Sequence, residues 1–352
     1  MVERRKRTIK DYAKQVEESS KKPPQKLLEG RFDQVVSTGS TRLDLAISGG
    51  RIRGGGIPGG VYVEIFGPES WGKTALLAEI AASVIKSGGD IHYDDTEGRF
   101  DLDYAEKLGI EIPKDKYSIT EKVEDLKVNF EKWMPKKSDK INGYFVDSIA
   151  AMTSEWEKLD KDERGQRKAK MLHKFFRLNK SKIGERNWIF VFTNQIISGG
   201  GEGETTPGGK AAKFWSSVRI RLGPHPAGKY LKSSFTSSTD YKEERIFGVR
   251  IQALIKKSSV DDAYRQAPIS IVYGYGIDDI RENLMYVKEV TGNDSFDFLK
   301  MDERGWKRLD TAIQWVEEQK LQSKLREKVI DIWCELEKEF RERRPRTMKE
   351  RI

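Results

Sequence analysis

Short apolar runs alternate with helical periodicity from about residue 36 to 280, and this alternation sets the expected fold. Strands are expected at 61–66, 90–94, 142–147, 187–193, 217–222, 247–255 and 269–273. The early runs, such as Val61-Tyr62-Val63-Glu64-Ile65-Phe66, have the apolar character of strands buried on both faces. Helical stretches separate them, so parallel pairing with helices on both sides is the expected arrangement. The later runs have short connections, which suits antiparallel pairing at one edge. The prediction is an α/β protein with a mainly parallel central sheet.

The two ends follow another pattern. Ile9, Tyr12, Ala13 and Val16 fall at i, i+3, i+4 and i+7, a short amphipathic helix that Ser19-Ser20-Lys21-Lys22-Pro23-Pro24 then breaks. Such a helix has no core of its own, so it either frays as a tail or docks on a neighbouring copy. At the other end, residues 311–343 carry one long helical pattern, with Leu325, Val329, Trp333, Leu336 and Phe340 in a stripe and Cys334 off it. The expected organisation is an arm over 1–35, a core over 36–285 and a small helical region over 286–352.

Charge changes this picture modestly. The 352 residues sum to a formal charge of +9, which favours a polyanionic partner, but both signs are mixed along the chain. The single cysteine, Cys334, excludes an intrachain disulfide. No apolar run reaches the length of a membrane span, and Met1 to Arg7 lead into no apolar signal core. A cytoplasmic protein with no membrane partner is expected.

The chemistry is concentrated in one octapeptide. Gly67-Pro68-Glu69-Ser70-Trp71-Gly72-Lys73-Thr74 matches G-x-x-x-x-G-K-[ST] between an expected strand and a helix starting near Ala75. Gly67 and Gly72 let the backbone curl so that successive N–H groups face phosphates. Lys73 is expected to reach the β- and γ-phosphates and the Thr74 hydroxyl to complete a Mg²⁺ shell, making ATP and Mg²⁺ the expected cofactors. Asp147 closes the apolar run Tyr144-Phe145-Val146, where a second Mg²⁺ contact usually stands. In Asp94-Asp95-Thr96-Glu97 a carboxylate can orient or deprotonate water beside the γ-phosphate, and Glu97 is the expected one.

Further phrases occur in order. Ser37-Thr38-Gly39-Ser40 precedes Leu43-Asp44-Leu45-Ala46, a Gly-rich turn at 54–60 and Val63-Glu64-Ile65-Phe66-Gly67-Pro68-Glu69-Ser70. Tyr104-Ala105-Glu106-Lys107-Leu108-Gly109, Val146-Asp147-Ser148-Ile149-Ala150-Ala151 and Asn194-Gln195-Ile196 follow. Gly208-Gly209 with Lys213-Phe214, and Tyr273-Gly274-Tyr275-Gly276-Ile277, complete the set. With these phrases the chain resembles the RecA family of DNA recombinases over roughly residues 35–290. The arm and the C-terminal region match weakly, as in a divergent, phage-type member.

The resemblance implies a RecA-like P-loop ATPase core with a DNA-dependent ATPase activity. It also implies a filament on single-stranded DNA that pairs with a homologous duplex, with single-strand-binding and loader proteins as further partners. By motif match Glu97 activates water, Gln195 senses the γ-phosphate, Asp101 and Tyr104 lie against adenine and ribose, and Tyr273 also borders the nucleotide. In the family two cations reach the γ-phosphate from the neighbouring subunit. Counting back from Tyr273 without gaps gives Lys257 at the first position but Ser259 at the second.

Two segments are expected to face DNA. The first, about 154–170, holds Lys158, Lys161, Arg164, Arg167, Lys168 and Lys170, which suit phosphate contacts. The second runs from Ile196 to Lys210, and its many glycines predict a loop without fixed strand or helix. It departs from the family by being shorter and poorer in bulky apolar residues. Ile196 and Ile197 alone could wedge between bases, with Lys210 and Lys213 beside them. Two other readings fit the same motifs: a RecA-like helicase or regulatory ATPase, and a nucleotide-gated DNA-binding scaffold with negligible turnover.

Overall fold

The computed structural model describes residues 34–107, 109–135, 139–155, 166–198, 204–207, 210–228, 230–236, 238, 241–299 and 306–342. The expected arm up to residue 33, the first-loop cations Lys158, Lys161 and Arg164, and the tail beyond 342 lie outside the described residues.

The chain enters through β1 (Val35–Val36) and α1 (Thr41–Ser48), whose first turn is capped by the Ser40 side chain accepting from the Leu43 N–H. It continues through β2 (Ile57–Pro58), which pairs with β1, and β3 (Val61–Gly67) into α2 (Lys73–Lys86). Then come β4 (Ile91–Asp95), α3 (Leu102–Lys107), β5 (Tyr117–Ile119), α4 (Val123–Lys132) and β6 (Gly143–Asp147). Next are α5 (Gln166–Glu185), β7 (Ile189–Gln195), β8 (Ile197–Ser198), β9 (Glu204–Thr205) and α6 (Lys210–Trp215). The last strands are β10 (Val218–Pro224), β11 (Tyr230–Thr236), β12 (Lys242–Ser258), β13 (Gln266–Val272) and β14 (Gly276–Ile277). Helices α7 (Asp279–Thr291), α8 (Leu309–Glu318) and α9 (Gln322–Glu342) close the fold.

A ten-stranded sheet in the order β14-β13-β12-β10-β3-β7-β6-β4-β5, with β11 on β12, organises the molecule. From β10 to β5 every neighbouring pair is parallel. From β10 through β12 and β13 to β14 every pair is antiparallel. The alternating residues of β3 explain the layers. Val61, Val63 and Ile65 join the core that α2 covers, whereas Tyr62 joins the core built with α4, α5 and α6. Both faces of the parallel half are thus buried, as its apolar strands predict.

Three features differ from the sequence expectation. Strand β5 is only three residues long, too short for a periodicity signal. Strand β12 starts at Lys242 rather than 247 and forms a ribbon with β11. Its first residues are polar on both faces, so no apolar alternation marks them. The C-terminal pattern is two helices instead of one, because the chain turns at Gln319-Lys320, where Lys320 has φ +52°. The turn lets α8 and α9 pack with α7 around Leu284, Val316, Leu325 and Val329, and Cys334 packs against that third core. Helix α7 runs across the expected boundary at 285–286. Among the described residues no helix is long and apolar enough to cross a membrane.

Candidate nucleotide-binding site

The parallel strands end together, and their ends build the site. Strand β3 stops at Gly67, paired with Gln195 at the end of β7. The chain then loops into α2, with Gly72 at φ +75° in the cap position. A Cβ at Gly67 would lie 2.4 Å from the Leu222 carbonyl oxygen, a backbone clash that requires glycine there, and at Gly72 the positive φ favours glycine. The Lys73 ammonium folds back over the loop, donating to the carbonyls of Gly67 at 3.1 Å and Pro68 at 2.6 Å. Burial lowers its pKa, against the opposing charges of Asp147, Glu69 and Glu97.

Asp147 faces this lysine from the end of β6. Thr193 Oγ1 donates to its Oδ1, the Thr74 side chain also hydrogen-bonds it, and the Tyr93 hydroxyl donates to Oδ2 at 3.3 Å. Burial raises its pKa, the hydroxyl hydrogen bonds oppose the rise, and Glu97 and Asp95 add to it. A buried, negatively polarised pocket beside Thr74 is suited to a divalent cation. Among the described residues no group of three or more His, Cys, Asp or Glu forms an all-protein metal cage. Mg²⁺ does not need one, because it is commonly held by one or two side-chain oxygens, waters and the nucleotide's own phosphates.

The three acidic residues after β4 divide by their hydrogen bonds. Asp94 is fully buried and accepts from Tyr144, from Thr120 at 2.8 Å and from Asn129 at 3.2 Å. Asp95 caps the following turn, accepting the N–H groups of Glu97 at 3.0 Å, Gly98 at 2.9 Å and Phe100 at 2.8 Å. Only Glu97 retains access to the site, holding the Ser148 hydroxyl at 3.3 Å and Arg99 at 3.6 Å. Asp94 and Asp95 are thus committed to structural hydrogen bonds, whereas Glu97 lines the cleft.

A cleft of about 680 Å³ joins these groups. Glu69, Ser70, Gly72, Lys73, Thr74, Glu97, Asp101, Asp147, Gln195 and Tyr273 all line it, whereas Gly67, Pro68 and Trp71 form the loop behind. Tyr104 lies on α3, and its side chain is outside the description. Lys257 does not line the cleft. Its ammonium donates at 3.0 Å to the carbonyls of both Lys213 and Phe214, at the end of α6. Its pKa is lowered by burial and by Arg219, against Glu64.

The DNA-facing expectations meet a mixed surface. Arg167 is exposed at the start of α5, but Lys168 turns inward and donates to the Ala150 carbonyl at 2.9 Å. Arg167, Lys170, Lys174 and Arg177 form an exposed basic stripe that continues past the expected first segment. The second segment is less irregular than its glycines suggest. Ile197–Ser198 pairs with Glu204–Thr205, because β-branched residues stand at its two ends. Lys210 opens α6, Lys213 is exposed and Ile196 is half-buried, while the side chains of Ile197 and Lys210 lie outside the description.

Sequence reasoning missed a buried network under this segment. Glu64 Oε2 accepts from Arg219 Nε, and its Oε1 accepts from Asn194 Nδ2 at 2.9 Å. The same Asn194 amide reaches the Pro207 carbonyl at 3.2 Å, and its Oδ1 accepts the Gln195 N–H at 3.0 Å. The available signal was a lone glutamate inside an otherwise apolar strand, since a buried charge requires a partner.

The chain is similar to known proteins over most of its length. The family model of the RecA N-terminal domain matches residues 26–278. Protein RecA of Phytoplasma mali is 32% identical over 260 residues, covering 71% of this chain and 71% of that protein. Protein RecA of Sulfurimonas denitrificans is 35% identical over 251 residues, covering 69% of this chain and 67% of that protein.

Proposed function

The chain belongs to the RecA family, and from that premise we propose an ATP-dependent recombinase that forms a filament on single-stranded DNA and pairs it with homologous duplex. The cleft carries this reading, because phosphate loop, Thr74–Asp147 pair, Glu97 and Gln195 converge in it. The oxygen donors there suit ATP with Mg²⁺, which when bound neutralises charge on the β- and γ-phosphates. Thr74 and Asp147 are the residues that would hold the ion. Lys73 exchanges the carbonyls of Gly67 and Pro68 for phosphate oxygens. Glu97 orients the attacking water and takes its proton. Gln195 stands in register with Gly67 and opens the segment 196–210, so it reports γ-phosphate occupancy to DNA.

DNA phosphates meet the stripe of Arg167, Lys170, Lys174 and Arg177, with Lys161, Arg164, Lys210 and Lys213 as further phosphate contacts and Ile196 and Ile197 as contacts to the bases. In the filament Lys257 reaches the neighbouring subunit's γ-phosphate, alone where the family has two cations. Its position away from its own cleft supports an action in trans. The setting is the cytoplasm of a bacterium or of a phage-infected host, with single-strand-binding and loader proteins as partners.

Electron microscopy with single-stranded DNA and a non-hydrolysable ATP analogue tests the assembly. Helical filaments are expected. Closed rings would favour the helicase reading. Absence of both, with no DNA-stimulated phosphate release, would favour the scaffold. Lys257→Ala should leave ATP binding to the isolated subunit intact and remove DNA-stimulated hydrolysis. A wild-type rate in that variant would move the contact to Lys256 or another cation.

A further inference from the structure

One carboxylate in the cleft has no part in the phosphate chemistry. Glu79 lies on α2 beyond Thr74, on the cleft face that it shares with Ala75 and Ala78. Its Oε1 accepts the Ile277 N–H at 3.2 Å, at the foot of the turn that carries Tyr273 and Gly274. Two glycines make room for the carboxylate. A Cβ at Gly276 would stand 2.7 Å from Oε1, and one at Gly39 would stand 3.3 Å from Oε2. Both glycines have positive φ, +97° and +83°, so neither position is suited to a larger residue. Oε2 has no hydrogen-bond partner among the described residues. Burial raises the pKa of this group, partly offset by the Ile277 N–H, with Asp279 adding to the rise.

Position along the helix indicates what this oxygen is for. Lys73 and Thr74 fix the phosphates at the N-terminal end of α2. The remainder of a nucleotide must run along the cleft, over the small side chains of Ala75 and Ala78. Five residues of helix carry the floor about 7.5 Å further, to Glu79. Asp101, Tyr273, Gly274 and Gly276 line the same cleft, and Gly276 stands directly against the Glu79 carboxylate. We propose that Glu79 selects the nucleoside: with Oε1 held by Ile277, Oε2 accepts a hydrogen bond from a donor on the sugar or base. Those donors are the ribose hydroxyls and the exocyclic amine of adenine. This rests on the reading that the cleft holds ATP. A nucleoside lacking the donor leaves a partly buried carboxylate oxygen desolvated and unpaired, a penalty that sites of this kind convert into selectivity.

The test is competition binding against a fluorescent ADP analogue, using ATP, 2′-deoxy-ATP, 3′-deoxy-ATP, inosine triphosphate and inorganic tripolyphosphate. Wild type should prefer ATP over one of the three analogues by about ten-fold or more, and which one identifies the donor. Glu79→Gln keeps an acceptor for the Ile277 N–H but presents an amide donor in place of Oε2. It should reduce the preference to within about two-fold and leave tripolyphosphate affinity unchanged. Glu79→Asp, which keeps the charge but withdraws it, should fall between. An ATP preference that is absent in wild type, or unaltered in Glu79→Gln, overturns the selector role while leaving the cleft an ATP site. Failure of wild type to bind any of the nucleotides overturns the ATP reading itself.

Discussion

Helices α2 and α5 cover opposite faces of the same sheet, and they dispose their polar groups in opposite ways. Helix α2 buries Leu76, Leu77, Ile80, Ala81 and Val84 and turns Thr74 and Glu79 into a cleft. The charged groups at its N-terminal end are held: Lys73 by two carbonyls, Asp147 by two threonines and a tyrosine. Helix α5 buries Leu172, Phe176 and Ile183 and turns Arg167, Lys170, Lys174 and Arg177 outward. Phosphoryl transfer needs donors fixed to within a fraction of an ångström, which burial supplies. Binding a polymer's phosphates needs charge density, and long exposed cations supply it without fixed geometry. The two faces should therefore respond differently to substitution.

The largest effects belong to the cleft face. Lys73→Ala removes the cation proposed to hold the phosphates, so ATP binding should weaken and turnover should fall to background. Glu97→Gln should keep ATP bound and slow hydrolysis by about 10²-fold or more, because an amide cannot accept the proton. Nucleotide titration and phosphate release, measured on both variants, separate the roles. Equal loss of ATP binding in the two would sink the division between them.

The next effect tests whether burial sets carboxylate behaviour beyond the cleft. Asp279 sits where α7 meets α1, accepting from the Thr41 N–H at 2.7 Å, the Thr41 hydroxyl at 2.6 Å and Asn283 at 2.8 Å. Arg326 and Asp44 also face it. Burial raises its pKa from 3.8 to about 6, despite the Thr41 hydrogen bonds and Arg326. The folded state thus holds the proton more tightly than the unfolded chain. The associated stability is complete below about pH 4 and is lost as pH rises through 6. The shift corresponds to a loss of ~3 kcal/mol across that window. In Asp279→Asn this component of the pH dependence should vanish. Urea unfolding of both proteins from pH 4 to 7 provides the check, and parallel curves would refute the assignment.

The contrast between the faces also explains what the sequence made legible. The phosphate loop and the parallel strands stood out because each residue serves one constraint, as in Tyr144-Phe145-Val146-Asp147. The antiparallel ribbon did not, since Lys242 to Arg245 are polar on both faces and pair only with β11. The break at Lys320 was hidden because apolar spacing continues on either side of it. Partners distant in sequence were beyond periodicity altogether. Glu64 with Arg219 and Asn194, and Glu79 with Ile277 and Gly39, meet only after the sheet is assembled.

The smallest effect belongs to the exposed face. Charge reversal of Lys170, Lys174 and Arg177 together should leave stability and DNA-free ATP binding close to wild type, because these residues are exposed. Lys168 must be kept, since its ammonium is bound to the Ala150 carbonyl inside the fold. Single-strand affinity should fall by about ten-fold at moderate salt. The slope of log K against log salt should flatten by roughly two, as three fewer phosphates are neutralised. The slope is the stricter measure, because a distorted fold could lower affinity without changing the number of counterions released. An unchanged slope across a salt series would remove this stripe from the DNA path. The basic helix would then be a solvated face, and the contacts would have to come from the segments flanking Gln195 and from residues 156–165.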